Sequence, residues 1–147
     1  MTGLGYGVLA LVAGILLPIQ VGMNAALADW VGGPVRAAVV SFAVGAVALI
    51  LLSLAFFRDR DLGDLGRAPW WVWVGGLLGA FYVASTAFAA PALGAALLFV
   101  ILVAGQAGAA LVLDHFGWVG FPVEHVTPGR IAGVGLVAAG VALVRFF

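Results

Sequence analysis

The chain has 147 residues, of which 65% are hydrophobic and only 8% charged, where soluble domains carry about 25% charged residues. Its net charge is zero and it has no cysteine, which excludes nucleic acid as an electrostatic partner, disulfides and thiolate metal sites. All six arginines and all six acids sit at or beyond the ends of five long apolar runs, and the polar stretches between runs leave no room for an extramembrane domain.

A bilayer core of about 30 Å takes roughly twenty helical residues to cross, and in lipid the backbone must satisfy its own hydrogen bonds. The sequence therefore predicts an all-α membrane protein, a single domain over 1–147 with five transmembrane helices at 4–28, 35–57, 70–90, 92–116 and 128–147. Ala26-Leu27-Ala28 has the look of a signal-peptidase site. No arginine or lysine precedes it, however, and its apolar stretch exceeds the usual ~7–15 residues, so the first helix is expected to be retained. A mature chain beginning at Asp29 would remove it.

The first helix ends near Asp29-Trp30, with Gly32-Gly33-Pro34 as the break, and Pro34 and Arg36 open the second. A polar loop runs from Arg58-Asp59-Arg60-Asp61 to Arg67-Ala68-Pro69. Trp70, Trp71 and Trp73 then form an interfacial belt at the head of the third helix. The third and fourth helices meet at Pro91 with almost no loop, which predicts a tight antiparallel hairpin. The fourth frays at Asp114-His115-Phe116, with Gly117 as its C-cap. Thr127 and Pro128 make an N-cap and first-turn pair for the fifth.

Counting positive charges puts Arg58, Arg60, Arg67 and Arg130 on the amino-terminal side and Arg36 and Arg145 on the other. Four against two favours the amino terminus inside. So narrow a bias fits either a singly oriented protein or one that inserts both ways and pairs with its inverted self. The odd number of spans adds weight to inversion, because transporters commonly consist of two inverted repeats with the site between them. One such unit would act as half of an antiparallel dimer.

No ionisable group lies near the middle of a span, so the candidate site residues are neutral. Gln20 and Asn24 share a face of the first helix one turn past Pro18, a candidate hinge because it frees a carbonyl near residue 14. Tyr82, Ser85 and Thr86 share a face of the third helix, and Gln106 lies near the middle of the fourth. Gln20, Tyr82, Ser85 and Thr86 fall between the midplane and the same, outer, surface. Such groups bind a polar or cationic solute without burying a charge. The plainer reading is that they bond across to neighbouring helices, and Ser41 and Ser53 are read that way. Small-residue stripes such as Ala37-x-x-x-Ser41-x-x-x-Gly45 and Gly75-x-x-x-Gly79 permit close helix approach without naming an interface. Asp114-His115 and Glu124-His125 are the acid–histidine pairs, read as solvated surface groups and not as a metal site. No nucleophile lies near a base at membrane depth, so neither an enzyme nor a cofactor is expected.

Pro18-Ile19-Gln20 with Asn24 and Leu27, then Ser41-Phe42-x-x-Gly45, resemble the first half of the short five-helix, YdcZ-like branch of the drug/metabolite transporter (EamA-like) superfamily. The run Gly75 to Tyr82, Ala90-Pro91-x-x-Gly94-Ala95, Gly105-Gln106, Asp114-His115-Phe116-Gly117, and Gly133 with Gly140 resemble its second half. That branch occurs as single genes, gene pairs and fused ten-helix forms, and is largely of unknown function. The resemblance implies a multi-pass protein of the bacterial inner membrane, an antiparallel homodimer moving a small solute, with no agreed substrate. Four-helix members of the superfamily couple export to protons through a glutamate in helix one. Here that helix holds Gln20 and Asn24 and no acid, which argues against coupling of that kind. A dual-topology ion channel and a non-transporting membrane subunit are the alternatives.

Overall fold

The computed structural model describes residues 3–56 and 65–147, and every regular element in them is helical. Arg58, Arg60 and their neighbouring acids in the expected polar loop, with Phe57 at the end of the second expected helix, lie outside the described residues. Four helices are long and apolar enough to cross a membrane. They are α1 (Gly3–Val31), α2 (Pro34–Phe56), α3 (Val74–Phe116) and α4 (Pro128–Phe146). The sequence led us to expect five spans. The difference lies in α3, where two helical segments run together through Gly94, whose backbone (φ 71°, ψ 164°) is not helical. The break falls three residues beyond Pro91, where the sequence placed it. Proline removes one N–H and restricts its neighbour, whereas a positive φ with extended ψ is open essentially to glycine alone.

The chain divides into two compact units, Met1–Ala92 and Leu93–Phe147. In the first, α1 packs on α2 through a tight turn. Gly32 takes φ 79° and Gly33 N donates to Ala28 O at 2.8 Å, the 6→1 bond of a glycine C-cap, and Arg36 Nη1 donates to Val31 O at 3.3 Å. Pro34 occupies the first position of α2, where its missing N–H costs nothing. Val21, Asn24 and Ala28 form one buried stripe on α1, and Ala37 and Ala38 are buried on α2. Val83, Thr86 and Ala87 form a third stripe on α3. These side chains are small, so the backbones approach closely, as membrane helices do when no aqueous hydrophobic effect drives them together. The large apolar side chains point outward instead: Leu49 is 68% exposed and Leu77 70%. In water such a surface would aggregate; in lipid it is the solvated one.

A short 3-10 turn, Trp70–Trp73, with all three tryptophans exposed, precedes α3, so the aromatic belt lies just before the helix and not within it. A Cβ on Gly79 would lie 3.6 Å from Phe42 Cζ, while Phe88 borders a cleft with residues 32–36 of the α1–α2 turn. The first segment of α3 thus runs antiparallel to α2, its far end level with that turn.

In the second unit, α3 ends at Phe116 and Gly117 takes the left-handed conformation (φ 63°), as its sequence context predicts. A Cβ there would also lie 2.7 Å from Val123 Cγ2. The connection folds back over the helix end: Glu124 N donates to Asp114 O at 2.8 Å and Val126 N to His115 Nδ1 at 3.3 Å. Thr127 caps α4 by accepting from Arg130 N at 3.3 Å, with Pro128 next, again as its sequence predicts.

Candidate functional site

The first unit carries most of the polar groups singled out above. Asn24 sits in the middle of the buried stripe on α1 and is 5% exposed, yet its Nδ2 has no hydrogen-bond partner. The Tyr82 hydroxyl is likewise buried and unpartnered. Thr86, 3% exposed, donates to Val83 O at 3.1 Å, a bond within its own helix. Ser85 is half-buried beside it.

Two clefts flank the α1–α2 contact. One of about 260 Å³ is lined by Gln20, Ser41, Phe42, Gly45, Ala46 and Leu49. The other, about 300 Å³, is lined by Met23, Asn24, Leu27, Val40, Ser41 and Val44. Ser41 belongs to both. From sequence alone Ser41 is expected only to bond across to a neighbouring helix, as Ser commonly does in membrane spans. The signal that finds it is depth: Ser41 lies seven residues from one end of the turn and Asn24 seven from the other, about 10 Å along each helix. The contacts of Gly79 and Phe88 bracket Tyr82 at about the same level. Neither cleft is lined by Tyr82, Ser85 or Thr86. Pro18 lies inside α1, which continues past it. Gln106 belongs to the second unit and is exposed there.

A profile of the family described as "Putative inner membrane exporter, YdcZ" matches residues 5–143. The chain belongs to the YdcZ family. The Inner membrane protein YdcZ of Escherichia coli (strain K12) is 32% identical over 99 residues, which cover 65% of this chain and 66% of that protein. No solved structure matches the chain. Membership of the YdcZ family, with helices this apolar, makes it a multi-pass protein of the inner membrane.

In this member of the family Asp114, Glu124 and Arg130 of the second unit gather where α3 gives way to α4. Arg130 reaches Asp114 Oδ2 at 3.6 Å and Glu124 Oε2 at 3.1 Å, and its Nη1 donates to Glu124 O at 3.2 Å. The rings of His115 and His125 meet edge-on at 5.6 Å. Both carboxylates are partly exposed, so each ion pair contributes at most about 1 kcal/mol. Among the described residues no cluster of three or more histidines and acids forms a metal-binding group. The acid–histidine pairs read from the sequence are part of a clasp that closes the α3–α4 connection.

Proposed function

We propose that this chain is one five-span half of a transporter that pairs with an inverted copy of itself and moves a small polar solute by alternating access. Five crossings follow if the chain turns at Gly94. Uninterrupted, the 43 residues of α3 would rise about 65 Å, twice the hydrocarbon thickness, whereas each segment flanking Gly94 has roughly the twenty residues one crossing needs. An odd number of crossings sets a second copy upside down if the two are to match as inverted repeats. The exporter description of the family supports the same reading.

The observation that carries the proposal is Asn24: an amide 95% buried among small apolar residues, with an unpartnered Nδ2, at the rim of a cleft. Leaving such a donor unmade costs about 1–3 kcal/mol, a cost that a passing solute can offset. In this reading Gln20, Asn24, Tyr82, Ser85 and Thr86, joined by Ser41 and by Gln106 of the second unit, line the path. Pro18 is the hinge, since it lacks the N–H that would hold the carbonyl of Gly14. The chain has no enzymatic role in this reading and requires no cofactor or metal. Its partners are the bilayer, the solute and the second copy.

Purified protein in liposomes tests the mechanism with a panel of isotope-labelled neutral and cationic solutes. A carrier gives saturable uptake accelerated by unlabelled solute on the far side. Rapid flux without counterflow would make it a channel, and no flux of any solute would leave a non-transporting subunit. Because the chain lacks cysteine, single cysteines placed at its two ends report sidedness directly. Labelling from one face of the membrane only would end the inverted pairing.

A further inference from the structure

The unpartnered atoms of the first unit share a chemistry. Asn24 Nδ2 is a donor and the Tyr82 hydroxyl can donate, while Thr86 has already committed its proton to Val83 O. Ser41, between the two clefts at the depth of Asn24, adds a hydroxyl. No charged side chain lines either cleft. Asp29 and Arg36 lie toward the α1–α2 turn and are exposed.

Donors without a counter-charge discriminate among solutes. A cation would find acceptors in Gln20 and Ser41, but it would lose its hydration with no carboxylate in either cleft to compensate. An anion would gain hydrogen bonds but lose its hydration with no positive group to compensate. A neutral carbonyl or hydroxyl oxygen gives up least on leaving water and matches the orphaned donor of Asn24. Size follows from volume: an apolar cavity of about 150 Å³ accepts benzene, so clefts of 260 and 300 Å³ suit a solute of about ten heavy atoms.

We infer that the α1–α2 clefts select a small neutral solute bearing a hydrogen-bond acceptor, read by the donor of Asn24. The inference narrows the substrate class of the transport reading and rests on it for its purpose. Binding and flux are separate readouts, however, so each can fail alone.

The test uses the full chain in detergent and three probes with the same ring and nearly the same size: phenylacetamide (neutral), phenylacetate (anionic) and phenethylammonium (cationic). Titration followed by thermal shift gives each dissociation constant. Phenylacetamide is expected to bind at least tenfold more tightly than either ion. Asn24→Leu should weaken it about tenfold, while Ser53→Ala, exposed and remote on α2, leaves it unchanged. The unliganded melt of Asn24→Leu verifies that this variant is folded. Equal or tighter binding of either ion, no binding of the amide, or unchanged amide affinity in Asn24→Leu would overturn the inference. Amide binding without counterflow would remove transport and leave the recognition; counterflow without amide binding would do the reverse.

Discussion

Replacing Asn24 by leucine should make the unliganded protein more stable. The amide is 5% exposed and its Nδ2 unpaired, a penalty of about 1–3 kcal/mol that leucine abolishes. Leucine is bulkier, and Ala28, Ala37 and Ala38 beside the turn leave little slack. The cleft of about 300 Å³ that Asn24 borders gives the two methyls that replace the amide oxygen and nitrogen somewhere to go, so overpacking offsets only part of the gain. The net is about 1–2 kcal/mol. At roughly 2–4 °C per kcal/mol for a chain this long, the melting temperature should rise by about 2–8 °C. Tryptophan fluorescence during heating at fixed detergent reads the change, using the five native tryptophans, with Asn24→Ala as the smaller companion. If both variants melted lower than the parent, the amide would have to be paired in the folded protein, and the case for a site poised for solute would collapse. A rise accompanied by lost solute binding is the pattern of a functional residue held at the expense of stability.

Gly94→Ala should destabilise the chain by about 1–3 kcal/mol, because φ 71° with ψ 164° is a region that side chains scarcely enter; the yield of folded, monodisperse protein in detergent measures it. Gly117→Ala meets both a left-handed φ and Val123 Cγ2 at 2.7 Å, and should cost about 1–2 kcal/mol locally. Hydrogen exchange would show it as faster exchange of the Glu124 and Val126 amides, which now bond to Asp114 O and His115 Nδ1, with α1 and α2 unaffected. Ala37→Leu forces bulk into a site of 0% exposure against α1 and should lose about 1–3 kcal/mol in an unfolding titration with denaturing detergent. Thr127→Ala removes the acceptor for Arg130 N and should cost α4 about 1 kcal/mol, read by exchange at the Arg130 amide.

Much of the chain's punctuation is local and therefore legible. Gly32-Gly33-Pro34 ends one helix and opens the next because two glycines take positive φ and proline suits a first turn. Gly117 and the Thr127-Pro128 pair act by the same short-range rules. The helical class and the membrane setting follow from hydropathy alone, since lipid leaves the backbone no other way to satisfy itself. The break within α3 was half legible. Pro91 and Gly94 are both helix breakers in one short stretch, and the sequence reading chose proline where the backbone departs from the helix at the glycine.

What sequence by itself determined, then, was where helices start and stop and that their outer faces meet lipid. Only tertiary structure decided that Asn24 and the Tyr82 hydroxyl are sealed in without partners, whereas Gln20 keeps to an open cleft and Gln106 is exposed. The same holds for Ser41, whose place between two clefts depends on the pairing of α1 with α2. Capping is settled within a few residues of chain. Whether a polar atom finds a partner is settled by which helix lies against it and at what depth, and helices apolar on every face carry almost no record of that choice.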